Sequence, residues 1–138
     1  MLTSLSYLKQ VGVIHCDLKL ENILFTDEKK KNVKIIDFGS SCLSYKNGFS
    51  YVQSRYYRSP EILLGLPYNQ AADMWSFGCI MAELKIQRPL FPALDENELL
   101  ELMSAIVGLP SKDMIDKAKK KHKFFKDGKV IRSKQSRL

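Results

Sequence analysis

Cysteine is scarce in this chain of 138 residues: three copies, at positions 16, 42 and 79, with no CxxC pair among them. The two histidines form no cluster at metal-ligand spacing. Neither a disulfide framework nor a zinc site is therefore expected, and a reducing compartment, cytoplasm or nucleus, is. No apolar run approaches the ~18 residues that a membrane helix needs. No basic-then-apolar leader opens the chain, so neither a membrane span nor a signal peptide is expected. Internal repeats are absent, and so is the interleaving of basic and aromatic residues that would stack nucleic-acid bases.

What remains is the composition of one globular domain, 45% hydrophobic and 27% charged, long enough to bury a sizeable core. The net charge of +7 is unevenly spread. Residues 1–111 carry 11 basic and 12 acidic groups, and residues 112–138 carry 11 and 3. A near-neutral domain over 1–111 is thus followed by a basic helical segment and tail over 112–138. That tail reads first as a solvated face, so nucleic acid is an unlikely partner.

The pattern predicts mostly helix with a small β-hairpin. Residues 3–10 form the end of a helix stopped near Gly12. The apolar stretches 23–25 and 33–36, joined by a polar turn, predict two paired strands. From Gly39 to about Pro67 the chain lacks regular periodicity, a length that is usually functional or disordered. Residues 70–86 are apolar on nearly every side and predict a helix buried at the centre. Asp95 with Glu98 predicts an N-cap, and Gly108 with Pro110 an end, with Leu99, Leu102, Met103 and Ile106 as the buried stripe. A further basic helix is expected over 112–126, anchored by Phe124 and Phe125, and then a frayed end.

Two turns concentrate chemistry: "HCDLKLENIL" at 15–24 and "IDFGSSC" at 36–42. Asn22 and Asp37, at the two ends of the predicted hairpin, supply the hard oxygens that Mg²⁺ prefers. Asp17, five residues before Asn22, could take a proton from an attacking hydroxyl, and Lys19 could neutralise charge on a transferring phosphoryl group. The bland alternative for these aspartates is a pair of turn or capping carboxylates. The ordered pair of motifs around one hairpin argues against it.

With "SPE" at 59–61 and "DMWSFGC" at 73–79, these motifs resemble the large lobe of a protein kinase. "HCD", "IDFGSSC" and "YVQSRYYRSPEILLGLPY" are most similar to the dual-specificity tyrosine-regulated (DYRK) group. The resemblance implies a partial kinase-like large lobe, mainly α with a small hairpin. It also implies ATP and Mg²⁺ as cofactors and proteins as substrates. By the same resemblance Asp17 is the catalytic base, Lys19 the phosphate-contacting lysine, and Asn22 and Asp37 the metal ligands. Leu24 and Ile36 line the nucleotide floor, and His15, Phe38 and Asp73 are structural. Tyr51, Ser54, Arg55, Arg58 and Glu61 belong to the activation segment. Tyr51 would carry a self-added phosphate, and Arg55 and Arg58 are spaced to pair with it.

The chain departs from the family pattern at Cys16, where an arginine is usual, and at Leu20, where proline is usual. Neither a glycine-rich loop nor a VAIK-type lysine occurs within residues 1–138. The expectation is therefore a truncated kinase, weakly active or inactive as an isolated chain. A non-catalytic large-lobe remnant that binds proteins is the alternative. An anion-binding role for the basic tail ranks third.

Overall fold

The computed structural model describes residues 1–29, 31–44 and 51–136. Part of the expected loop over 39–67 and the last two residues of the expected frayed end lie outside them. Helix α1, Leu2–Gln10, buries Leu5 and Leu8 and ends at Val11. Gly12 then takes a left-handed φ of 71°, a conformation glycine adopts without steric cost. This turns the chain into strand β1, Val13–Ile14. The carbonyl of Gly12 accepts both the backbone N–H and the hydroxyl of Ser44, each at 2.9 Å.

Strand β1 pairs antiparallel with β4, Cys42–Leu43, in the register Ile14 to Cys42. Everything between is looped out and brought back. The excursion begins with a turn through His15–Lys19 and a 3₁₀ turn at Leu20–Asn22. The hairpin of β2, Ile23–Phe25, and β3, Val33–Ile35, follows. Its tip is closed by Asp27, whose carboxylate accepts the backbone N–H of Lys31 and Asn32. The ladder continues one step further, where Ile36 N–H donates to the Asn22 carbonyl at 2.9 Å. The expected hairpin is therefore present, and it carries one candidate turn at each end.

The stretch expected to lack structure contains short elements: β4, a 3₁₀ turn at Arg55–Tyr57, and helix α2, Pro60–Leu64. Proline at the first helical position and Gly65 in left-handed conformation after the last bound α2. Ile62, Leu63 and Leu64 are buried. Leu63 and Leu64 join Leu18, Ile80, Phe91, Leu99, Leu100 and Phe124 in the central core, and Ile62 joins a second cluster with Ile14, Cys16, Tyr68 and Ala72, each buried aliphatic side chain contributing about 1.5–3 kcal/mol.

Helix α3, Ala71–Ile86, is not buried on all sides. Its inner face is Ala72, Asp73, Ser76, Cys79 and Ile80, while Met74, Met81, Leu84 and Ile86 are about half exposed. The small residues on the inner face let the backbone around Tyr57 come close, and Ser76 Oγ donates to the Tyr57 carbonyl at 2.7 Å.

Helix α4, Glu96–Val107, has the expected cap, with Asp95 accepting the Glu98 N–H at 2.8 Å. Glu98 reaches back to the Leu94 N–H rather than to that of the cap itself. Leu99, Leu100 and Met103 are buried, whereas Ile106 is exposed. Of the expected stripe, Leu99 and Met103 are thus buried and Leu102 packs partly buried against the core, while Leu100 takes the inward place expected of Ile106.

Residues 112–126 do not form one helix. They fold as α5, Lys112–Lys117, and α6, Lys121–Phe124, separated at Ala118, whose backbone is extended. The break is where the chain meets the core: Ala118 is buried and Lys120 N–H donates to the Leu64 carbonyl. Phe124 and Phe125 are buried, as anchors should be. The described part of the tail is ordered rather than frayed. Strands β5, Phe125–Lys126, and β6, Lys129–Val130, form a second hairpin turning at Asp127 and Gly128, both at positive φ. Beyond it, Ser133 bonds to Asp95 and Glu101. Among the described residues no helix is long and apolar enough to cross a membrane.

Candidate active site

Cys16 adopts a left-handed φ of 64°, a strained choice for a residue with a Cβ. Asp73 on α3 holds it there, one oxygen accepting the Cys16 N–H at 3.0 Å and the other the His15 N–H at 2.7 Å. Burial pushes the Asp73 carboxyl above its ordinary value, although these two N–H groups pull the other way. The fully buried His15 is clamped as well. Its Nδ1 accepts the Asp17 N–H at 3.2 Å, which leaves Nε2 to donate to the Ile36 carbonyl at 3.0 Å. Phe38 packs edge-on against it at 4.7 Å. One imidazole thus ties the first turn to the second, and three residues expected to be structural act as a unit.

Above that base the polar groups converge. Ser54 Oγ donates to Asp17 Oδ1 at 2.7 Å, and Lys19 Nζ donates to Asp17 Oδ2 at 3.0 Å. Lys19 also lies 3.3 Å from Ser54 Oγ. Partial burial opposes ionisation of Asp17, but the bonds from Ser54 and Lys19 outweigh it and hold the carboxyl below the ordinary carboxylate range. In return, the bond to Asp17 lifts the Lys19 ammonium above its ordinary value, with Asp37 adding to the effect. The site therefore holds a carboxylate and an ammonium side by side at neutral pH.

The buried Asn22 donates its amide nitrogen to the Asp17 carbonyl at 2.8 Å and approaches Asp17 Oδ2 at 3.4 Å. That bonding spends the nitrogen and leaves the amide oxygen as the atom available to a cation. Asp37 stands at a left-handed φ of 61°, exposed, with one oxygen accepting the Gly39 N–H at 3.3 Å. Both residues offer hard oxygens, which fits Mg²⁺. Among the described residues Asp37 makes no bond to Asp17 or Asn22, but it acts electrostatically on Lys19 as Asp17 and Glu21 do. Leu24 is about half exposed and Ile36 partly buried.

Asp17, Lys19, Asn22 and Ser54 are thus brought together, with Asp37 at their edge. Tyr51, Arg55, Arg58 and Glu61, expected in the activation segment, flank Ser54 in the chain without bonding to Asp17, Lys19 or Asn22 among the described residues. Arg58 is buried, donating to the carbonyls of Val52 and Gln53 and forming an ion pair with Glu96 at 2.8 Å. Its guanidinium lies 4.2 Å from the centre of the exposed Tyr51 ring. Arg55 donates to the Ala93 and Leu94 carbonyls. Glu61 has no ion pair among the described residues.

Sequence reasoning missed Gln53. It is buried at φ 67°, donates to Ala72 O and Ser76 Oγ at 3.0 Å each, and accepts the Ser59 N–H at 2.7 Å. It fastens the segment that carries Ser54 onto α3. A single polar residue inside a polar loop leaves no periodic signal.

Residues 1–133 match the protein kinase domain. The chain belongs to the protein kinase family. It is 54% identical over 128 residues to the dual specificity protein kinase YAK1 homolog of Arabidopsis thaliana, covering 91% of this chain and 13% of that protein. Against the dual specificity tyrosine-phosphorylation-regulated kinase 3 of Homo sapiens the identity is 46% over 131 residues, 95% of this chain and 22% of that one. Against the dual specificity protein kinase YAK1 of Saccharomyces cerevisiae it is 49% over 126 residues, 91% and 16%. These relatives agree with the DYRK-like resemblance of the motifs. As a partial kinase large lobe, the chain spans only 13–23% of the length of such relatives.

Proposed function

We propose that this chain forms part of the catalytic lobe of an ATP-dependent protein kinase. The enzyme would phosphorylate serine and threonine hydroxyls of protein substrates and its own Tyr51. The observation that carries the reading is the grip on Asp17, one oxygen held by Ser54 and the other by Lys19. A carboxylate so fixed orients an incoming hydroxyl and takes its proton as the oxygen–phosphorus bond forms and ADP departs. Lys19 sits where charge on the moving phosphoryl group needs neutralising, and positioning with electrostatics is most of what phosphoryl transfer requires. Asn22 and Asp37 would hold Mg²⁺, which supplies charge neutralisation at the phosphates. Self-modification of Tyr51 is supported by its exposure and its basic neighbours. The three cysteines, none in a disulfide, suit the cytoplasm or nucleus.

Phosphoryl transfer in the whole polypeptide tests this. Asp17→Asn should lower turnover by about 10²–10⁴-fold, the usual worth of a positioned acid or base, while leaving ATP binding in place. Failure of both proteins to bind Mg²⁺–ATP at millimolar nucleotide would favour the alternative, a kinase-like lobe that only binds proteins.

A further inference from the structure

The basic excess of the last residues has a definite place in the fold. Asp113 pairs with Lys117 and Asp116 with Lys121, within that same stretch, while Lys123 pairs with Glu96. Further on, Lys126, Lys129, Arg132 and Lys134 are exposed and carry no ion pair among the described residues. They stand on ordered backbone, the hairpin β5–β6 and the residues after it, which Ser133 fastens to Asp95 and Glu101. The catalytic reading makes no use of them.

Two observations point to a ligand. Lys126 and Lys129 face each other directly across the hairpin ladder, where like charges are destabilising. Asp127, in the turn between them, is the only acid of that hairpin, so an anion laid along it relieves the pair. Arg132 and Lys134 line a cavity of ≈ 660 Å³ whose other wall includes Tyr51, Arg55 and the first turn of α4. The carboxylates in that wall are already bonded, Asp95 to Ser133 and Glu96 to Arg58 and Lys123. Asn97 lines the same cavity, and its side-chain oxygen is buried with no hydrogen-bond partner among the described residues. Buried acceptors without a donor are uncommon.

Together these groups select a chemistry. Phosphates of a nucleic acid or a lipid surface bring acceptors to the cations and nothing to Asn97. The strip also presents no aromatic ring for base stacking or membrane insertion, because Phe124 and Phe125 are buried. An extended acidic peptide brings both partners, carboxylates for the cations and backbone N–H groups for Asn97.

We propose that the hairpin β5–β6 and residues 132–134 form a docking strip for an acidic segment of a protein substrate. Lys126, Lys129, Arg132 and Lys134 hold its carboxylates, and Asn97 accepts from its backbone. That the docked protein is a substrate rests on the kinase reading. The far wall of the cavity carries Arg55, the residue after Ser54, whose hydroxyl holds Asp17. A segment docked here is therefore tethered near the proposed base without touching it. Such tethering raises the effective concentration of the acceptor hydroxyl and shows in KM rather than kcat.

The test measures binding first, in the whole polypeptide, so that no catalysis is needed. A fluorescent peptide of Glu-Gly repeats, whose carboxylates share one face when extended, is titrated by anisotropy. The double variants K126Q/K129Q and R132Q/K134Q should each bind it about fivefold more weakly, the worth of exposed charge pairs, and the quadruple variant more weakly still. All four sites are exposed, so urea midpoints should not fall, which separates lost docking from lost folding. Asn97→Ala should weaken the peptide about fivefold, the scale of one hydrogen bond, and leave binding of inorganic polyphosphate unchanged. A peptide substrate joined to the Glu-Gly segment by a flexible linker should then show a KM about tenfold below that of the bare peptide at the same kcat, and the quadruple variant should lose the gain. Equal affinity of wild type and the quadruple variant for the acidic peptide would overturn the proposal. So would an Asn97→Ala variant that binds peptide and polyphosphate as wild type does, which would assign the strip to a phosphate polymer. Equal KM for the bare and extended substrates would reject docking of substrates. Peptide binding through the four cations in a polypeptide that phosphorylates neither substrate would uphold the strip and reject only the catalytic reading.

Discussion

Asp73 and Cys16 are 57 residues apart in sequence, yet a carboxylate oxygen of Asp73 accepts the Cys16 backbone N–H at 3.0 Å. The other oxygen takes the neighbouring His15 N–H. The helix at the centre of the fold therefore fixes the backbone of the turn that presents Asp17. The side chain proposed as the base is thus aimed from beneath, by a buried carboxylate on another element.

Asp73→Asn keeps one acceptor and turns an NH₂ toward a second N–H, and Asp73→Ala removes both acceptors. Each buried N–H left unpaired costs about 1–3 kcal/mol. Urea unfolding should rank the proteins wild type, Asn, then Ala. An alanine variant with an unchanged midpoint would mean that the clamp contributes nothing.

Gln53 combines a left-handed backbone with three buried side-chain bonds. Gln53→Gly loses the bonds but relieves the backbone, while Gln53→Ala loses the bonds and keeps the strain. The alanine variant should be less stable than the glycine variant by about 1–2 kcal/mol. Equal stabilities would show that the positive φ is not maintained in solution.

The local parts of this fold were legible in the sequence. The hairpin Ile23–Ile35, the Asp95 cap and the two chemical turns each depend on residues within a few positions of one another. The burial of α3 was not, because apolarity on every side says that a side chain avoids water without saying what covers it. Small Ala72, Ser76 and Cys79 face inward because a polar segment, held by Gln53, packs closely there. The basic stretch after residue 112 was read as one helix from its composition. The Asp127–Gly128 pair was a readable turn signal, and the pull of Phe124 and Phe125 toward the core sets the break. The proposed catalytic roles rest on motif order, whereas the Ser54 contact with Asp17 spans 37 residues and needed the fold.

Ser54→Ala would free one oxygen of Asp17, and Ser54→Thr would keep the donor. In the full-length polypeptide kcat/KM should fall by roughly 10–100-fold for alanine, the scale of a slightly misplaced catalytic group, and much less for threonine. An alanine variant with unaltered kcat/KM would remove Ser54 from the catalytic arrangement.

Burial lifts the Cys79 thiol from its ordinary 9.0 up to about 12. The folded chain then keeps a proton that the unfolded chain releases, so this contribution is whole below pH 9 and is lost progressively between about 9 and 12. Cys79→Ala should show a shallower decline of unfolding free energy across that window, followed by denaturant midpoints at successive pH values. Parallel declines in both proteins would assign the alkaline loss elsewhere.

The pairing of Ile14 with Cys42 closes a long excursion through the hairpin. Because closure entropy grows only with the logarithm of loop length, doubling such a loop costs about 0.6 kcal/mol. Residues added at the hairpin tip near Asp27 would therefore lengthen the protein at small thermodynamic cost and leave both chemical turns in place. The same addition between Ile36 and Ser41 would put Asp37 out of step with Lys19. The architecture confines evolutionary freedom in length to the far end of a lever whose near end must not change.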